Sequence, residues 1–248
     1  MADKRGTFAA RHLFVSRRFG KYRPSRAVGG CHRYGPSFFD NVHYSELADF
    51  FQAWQIPTCD SDSKHASTRQ QNEVQDADAH QFAQKLCRVF SECHRVLRDD
   101  GLLVFTYHHS RAEGWQSLAT AVWGAGFHFV NAHPVKAEMS VATPKFQAKD
   151  PIQLDIILVC RKRLAYDGVT CSQDDALDRA RRKILRLANA GFTLSRNDRS
   201  ITLVGQLLCA TEPGGNTNEL IARVDRVLEE IAFSPAASVR QAVQMSLF

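Results

Sequence analysis

Arg95-Val96-Leu97-Arg98-Asp99-Asp100-Gly101-Leu102-Leu103-Val104-Phe105-Thr106-Tyr107 is the stretch that decides the fold. A helix ends in it, a turn with Gly101 follows, and a continuous apolar strand begins at Leu102. A short strand that is apolar on both faces and follows a helix fits a central position in a parallel sheet. Upstream, Asp76 or Asp78 can cap the helix, and Phe82, Leu86, Val89, Phe90, Cys93, Val96 and Leu97 trace its apolar face. Downstream, His108-His109 stand beyond the carboxyl end of the strand, where ligands of open α/β sheets gather. Neighbouring strand residues point to opposite faces, so the two histidines do not make a simple metal pair. Two readings stand: one histidine lines a pocket, or both are structural.

Further along, Trp115, Leu118, Ala119, Val122 and Trp123 mark another apolar helix face, ended by Gly124 and Gly126. Phe127-His128-Phe129-Val130 starts a strand, and Pro134 to Asp150 reads as an irregular connection. Ile152 to Cys160 is a strand closed by Arg161-Lys162-Arg163. Two strands joined without a helix suggest an antiparallel pair at the sheet edge. Asp155 inside the last strand is unexplained by the apolar pattern; pairing with a neighbouring basic group is one reading. Residues 165–248 read as an appendage. It begins with a basic amphipathic helix whose apolar face holds Leu177, Ala180, Ile184, Leu185, Leu187 and Ala188. Arg179, Arg181, Arg182, Lys183 and Arg186 lie on its other faces, and Gly191 can end it. Phe192 to Val204 suggests a short paired segment, although a helix from Ile201 through Leu208 is an equal reading. After Pro213-Gly214-Gly215, Leu220, Ile221, Val224, Val227, Leu228 and Ile231 give a clean helix, and the tail beyond Phe233 is expected to fray.

Toward the amino terminus, Gly35-Pro36-Ser37-Phe38-Phe39-Asp40 is a tight loop before a helix whose face is Leu47, Phe50, Phe51 and Trp54. A rigid Pro loop with aromatics can hold a planar ligand, or it can be a structural turn with core phenylalanines. Residues 57–76 are polar and read as a long loop.

The segment Phe38 to Phe51 resembles the sequence just after the catalytic Asp-Pro-Pro-Tyr/Phe motif of amino-group DNA methyltransferases. The nearest likeness is to the large adenine-specific methylases with a DUF1156-type N-terminal region. The Arg-Val-Leu…Asp-Gly-Leu-Leu-Val pattern of residues 95–104 is similar to the fourth-helix-to-fifth-strand passage of class I methyltransferases, and Ser195-Arg196-Asn197-Asp198 resembles the tail of the same methylases. The likeness spans roughly residues 36–210, the back part of a longer family member. It implies a partial Rossmann-like α/β sheet whose last strand is reversed, with a small, mainly helical C-terminal appendage. It implies that Pro36 is the first proline, whose carbonyl accepts from the exocyclic amine of a flipped adenine or cytosine, and that Phe38 stacks on the base. The motif is degenerate: Gly35 stands where the Asp would be and Ser37 where the second proline would be. The glycine-rich loop that clamps S-adenosylmethionine in this family is missing. Gly29-Gly30 has no strand before it, and Gly124-x-Gly126 ends a helix.

Composition bounds the rest. The chain has 248 residues, 44% hydrophobic, and carries a net charge of +6. Residues 1–33 hold nine Lys or Arg against the single acid Asp3, so the remainder is net negative. A basic lead of this kind can neutralise phosphates, Arg17, Arg18 and Lys21 among them, or it can be a solvated, disordered arm. No strand is legible before Gly35, and the likeness starts abruptly near Pro36, so residues 1–34 are expected to be a disordered lead from a truncated or shifted frame. Seven scattered cysteines form no CxxC pair, which argues against a zinc ribbon or a disulfide framework, and no metal site is expected. No apolar run approaches a membrane span and no signal peptide is visible, so a cytoplasmic location is expected.

The expectation is therefore a DNA methyltransferase fragment in three parts: a lead (1–34), the C-terminal half of a methyltransferase domain (35–164) and a helical appendage (165–248). No cofactor-binding residue is expected in this chain. A second chain would supply the S-adenosylmethionine site, and the isolated chain would be inactive. The alternatives are a noncatalytic DNA-binding or interaction module, using the basic lead and Arg181 and Arg182, or a nonfunctional remnant.

Overall fold

The computed structural model describes residues 29–34, 48–51, 73–74, 76–137, 151–163 and 171–233. These residues form a mixed α/β fold. Strand β1 is Gly29–Tyr34, helix α1 Ala79–Val96, strand β2 Leu97–Tyr107, helix α2 Ala112–Gly124, strand β3 Phe127–Lys136 and strand β4 Leu154–Lys162. Helices α3 (Gln173–Asn189), α4 (Arg196–Leu208) and α5 (Thr217–Phe233) follow. Ala48–Phe51 adds a short helical piece.

The described strands pair in the order β1-β2-β4-β3. β1 is parallel to β2, while β4 is antiparallel to both β2 and β3. It follows that β1, β2 and β3 run in one direction and that the last strand in sequence is inserted between two of them, reversed. β3 is the edge on that side. Its position explains how Pro134 lies within the strand: Pro lacks the N–H of an inner ladder but is tolerated at an edge. The irregular connection expected from Pro134 therefore begins later, after Ala137.

Residues 29–34 correct the expectation for the lead. Gly29-Gly30-Cys31-His32-Arg33-Tyr34 has no aliphatic run, yet Cys31 to Tyr34 pair in register with Leu102 to Phe105. The strand is defined by its backbone ladder with β2. The turn expected at Gly101 is also different: it is an irregularity inside one strand. Gly29 pairs with Leu97 and Cys31 with Leu102, so Arg98 to Gly101 bulge from the ladder. The bulge is tied down by an Arg98–Asp100 ion pair (3.0 Å), by Lys162 Nζ on Asp99 (3.0 Å) and by Arg161 donating to the Asp100 carbonyl (3.1 Å). Gly101 is needed there, because a Cβ would lie 2.7 Å from the Leu97 side chain.

α1 is capped by Asp78, which accepts from Gln81 N at 2.8 Å, and buries Phe82, Leu86, Val89, Phe90 and Cys93 as its spacing predicts. α2 buries Trp115, Leu118, Ala119, Val122 and Trp123, and Gly126 takes φ +84° just beyond its end. β2 and β4 alternate, with Leu103, Phe105, Tyr107, Ile156, Leu158 and Cys160 on the buried face.

The C-terminal helices are not an appendage. Leu177, Leu203, Leu207, Val224 and Leu228 belong to the same hydrophobic cluster as Phe90, Phe105 and Leu158. The boundary expected at residue 164 thus divides a continuous core. α4 is the reason. It is buried from Ile201 through Leu208, and it begins where a paired segment was one expectation. Ser195 and Asp198 make a reciprocal capping box: Ser195 Oγ accepts from Asp198 N and Asp198 accepts from Ser195 N, both at 3.0 Å. Gly205 lets α4 approach the sheet, since a Cβ would lie 3.0 Å from Ile156 Cγ2 and 3.1 Å from Ala132 Cβ. Gln206 Nε2 donates to the Ala132 carbonyl.

Candidate functional site

β1 and β2 are parallel, so their carboxyl ends share one edge of the sheet. β1 ends at Tyr34, whose register partner is Phe105, and the next residue in the chain is Gly35. Gly35, Pro36, Ser37 and Phe38 lie outside the described residues, as do Arg17, Arg18 and Lys21. The edge itself is described at the end of β2.

His108 and His109 leave β2 on opposite sides. His109 is buried, in a web that joins β2 to α2. Its Nδ1 accepts from the Arg111 amide at 3.0 Å, and its carbonyl accepts from Trp115 Nε1 at 2.9 Å. Tyr107 Oη donates to the Gly114 carbonyl at 3.0 Å, and the Tyr107 and Trp115 rings meet edge to face at 5.2 Å. A Cβ at position 114 would overlap the His109 ring, which accounts for that glycine. His109 is therefore the structural member of the pair.

His108 lies on the other face. The β2–β4 ladder ends with Tyr107 opposite Ile156, and one step further His108 faces Asp155. His108 Nδ1 is hydrogen-bonded to Asp155 Oδ1. The side chains are 15% and 19% exposed, so the pair is drawn out of bulk water and still reachable from it. The acid that the apolar pattern of β4 left unexplained is hydrogen-bonded to an imidazole.

The basic helix α3 divides in two. Arg181 and Arg182 are exposed, with Arg181 3.2 Å from Asp178. Lys183 instead points inward: its Nζ donates to Asn131 Oδ1 at 3.0 Å and to the Ala132 carbonyl, and burial pulls its pKa below the usual lysine value. Lys183 fastens α3 to the β3 edge and is not part of a cationic surface. Arg223 and Arg226 of α5 were not singled out from sequence. Their i, i+3 spacing brings both beside Arg181 in a cleft of about 400 Å³ that Asp174 and Asp178 also line. Arg223 holds Asp174 at 2.6 Å.

Phe50 and Phe51 correct another expectation. They are helical, but 60% and 63% exposed, and their rings pack edge to face at 5.4 Å against each other. Burial on an inward face, expected from their spacing, does not occur at these two positions. Leu47 and Trp54 lie outside the described residues.

Gly29-Gly30 lies inside β1 and does not follow a strand, and Gly124 and Gly126 flank the end of α2. Neither pair forms a loop between a strand and a helix. Among the described residues, no three His, Cys, Asp or Glu side chains gather as metal ligands, and no helix is long and apolar enough to cross a membrane. Burial raises the thiol of Cys93 to about 11 and that of Cys209 to about 12, well away from the thiolate range of a nucleophile.

Comparison with protein-family models, curated proteins and solved structures found no match to the chain.

Proposed function

We propose that this chain is the target-base half of an amino-group DNA methyltransferase, acting on adenine or cytosine in DNA, with the S-adenosylmethionine site supplied by a second chain. The observation that carries the reading is β4. The last strand in sequence enters the sheet reversed, beside β2, as the last strand does in the class I methyltransferases that residues 95–104 resemble. The strand β1 adds support, because it is parallel to β2 and ends at Tyr34, one residue before Gly35-Pro36-Ser37-Phe38 in the sequence, and the catalytic loop of such enzymes follows a parallel strand. Pro36 would accept from the amine and Phe38 would stack on the base. The missing carboxylate at Gly35 removes an acceptor aligned with the amine, so the isolated chain would be inactive.

The test is calorimetric titration of the full chain with S-adenosylmethionine, alongside titration of a fluorescent duplex. Saturable duplex binding with neither cofactor binding nor methyl transfer is expected. Cofactor binding or methyl transfer by the pure chain would overturn the half-enzyme reading, and absence of duplex binding would overturn the assignment to DNA.

One observation favours a second reading, a noncatalytic DNA-binding module. Arg181 and Arg182 are exposed on α3, and Arg223 and Arg226 line the cleft beside Arg181. Phosphate contacts from these groups would make affinity fall steeply with salt and would owe nothing to a cofactor.

A further inference from the structure

We propose that the cleft between α3 and α5 binds a small monocarboxylate, with the fork of Arg226 on the carboxylate and the apolar body of the ligand on Leu177 and Val227. The inference rests on the cleft alone and does not depend on the methyltransferase reading.

Two helical stripes build the cleft. Asp174, Leu177, Asp178 and Arg181 recur at i, i+3, i+4 and i+7 on α3, and Arg223, Arg226 and Val227 at i, i+3 and i+4 on α5. Each set therefore shares one face of its helix. Both helices pack against α4, and the two stripes line one hollow of about 400 Å³. Leu177 and Val227 are each 5% exposed and belong to the hydrophobic core, so they make an apolar, fixed floor. A hollow of this volume suits a small ligand and is too small for the body of a duplex. The charges then say what the ligand carries. Arg181, Arg223 and Arg226 face Asp174 and Asp178, a surplus of one positive charge. Arg223 uses its fork on α3, donating to Gln173 Oε1 and, at 2.6 Å, to Asp174. Arg181 donates to Asp178 at 3.2 Å. Arg226 is exposed and its Nε reaches the Ala222 carbonyl of its own helix at 3.4 Å; among the described residues no carboxylate pairs with it. The surplus charge thus resides on Arg226. A guanidinium fork matches a carboxylate in two parallel hydrogen bonds. A carboxylate brings the single negative charge that balances the cleft, whereas a phosphate monoester brings close to two and would be repelled by Asp174 and Asp178.

The experiment uses the full chain with isotopically labelled leucine and valine methyl groups, studied by nuclear magnetic resonance and titrated with benzoate and with benzamide, its neutral counterpart. The methyl signals of Leu177 and Val227 are expected to move saturably with benzoate, and benzamide is expected to bind about ten-fold more weakly. Arg226→Gln is expected to weaken benzoate binding by about ten-fold, the worth of one charge-assisted contact. Asp178→Asn frees Arg181 from a competing carboxylate and is expected to tighten benzoate binding about three-fold, within the range of an exposed ion pair. Both positions are exposed, so neither change reaches the core, and circular dichroism checks the fold. Leu177 and Val227 signals unmoved by benzoate would overturn the proposal. Equal affinity for benzoate and benzamide would do the same, as would benzoate binding of equal strength in Arg226→Gln. Duplex DNA that displaces benzoate would assign the cleft to nucleic-acid phosphate and would equally overturn the carboxylate assignment.

Discussion

Asp198 Oδ1 accepts the backbone amide of Leu154 at 3.1 Å, across 44 residues of sequence, and it does so from a fully buried position. The same oxygen takes the Gln153 amide at 2.8 Å, while the other oxygen closes the capping box of α4 on Ser195. One carboxylate thus starts both a helix and the inserted strand.

Removing it leaves three backbone donors without their partner. Asp198→Ala is expected to destabilise the chain by about 3 kcal/mol, the sum expected of a lost cap and of buried amides left unsatisfied. Asp198→Asn keeps one acceptor oxygen and should lose roughly half as much. Urea unfolding followed by circular dichroism measures both, and equal midpoints for wild type and Asp198→Ala would refute the role given to this group.

Gly205 is the contact point of α4 on the sheet. A gain in helix propensity, about 1 kcal/mol for alanine and less for valine, favours replacement, but the space between helix and strand opposes it. A Cβ would already press on Ile156 and Ala132, so Gly205→Val is expected to cost about 3 kcal/mol through overpacking. A thermal midpoint unchanged or raised in that variant would mean that α4 can withdraw from β4 freely.

Acid should weaken the fold as pH falls below about 6.5. Burial holds the imidazole of His94 below the usual histidine value, with Lys162 adding to the effect. Burial does the same for His128, aided by Arg161 and Arg163. As pH falls through about 6.5, the unfolded chain binds these protons while the folded chain does not. Stability is therefore fully present above that value and is lost progressively below it, until pH passes the depressed folded values. Urea midpoints measured from pH 8 to pH 5.5 should fall in this window, and the fall should be smaller in His94→Gln and in His128→Gln. A flat profile in the wild type would contradict the assignment.

The division within α3 gives a prediction about binding. Arg181→Ala combined with Arg182→Ala is expected to reduce duplex affinity and to lower the salt slope by about 2, with little effect on stability. Lys183→Met should do the reverse. It leaves the Ala132 carbonyl and Asn131 without their ammonium donor, so stability falls by about 1–2 kcal/mol while the salt slope is unchanged. Salt slopes that respond to Lys183→Met and ignore the two arginines would reverse this picture of the helix.

Helices α1, α2 and α5 were legible because their apolar residues recur at helical spacing, and each of those spacings corresponds to a buried face. α4 was only half legible. Ser195-x-x-Asp198 is a capping-box signature, but Ile201-Thr202-Leu203-Val204 is β-branched enough to read as a strand, and its burial comes from α3, α5, β3 and β4 together. β1 was not legible at all, since Gly-Gly-Cys-His-Arg-Tyr becomes a strand by backbone pairing with β2. Local sequence holds no record of a partner about 70 residues away. The candidate site divides the same way. Asp155 stood out as an acid in an apolar strand, whereas its partner His108 lies 47 residues earlier and depended on the strand order.

The insertion of β4 also sets an order of events in time. β2 and β3 share no ladder; each reaches the other only through β4. A growing chain that has emerged as far as Lys136 holds β2 and β3 with open edges facing a gap that no described upstream strand fills. The gap closes only after Lys162 has been made, and the buried helix that covers it arrives later still, at Leu208. Synthesis thus runs well ahead of assembly. Until the reversed strand arrives, β3 cannot join the β1–β2 pair, and the described sheet is completed late in synthesis.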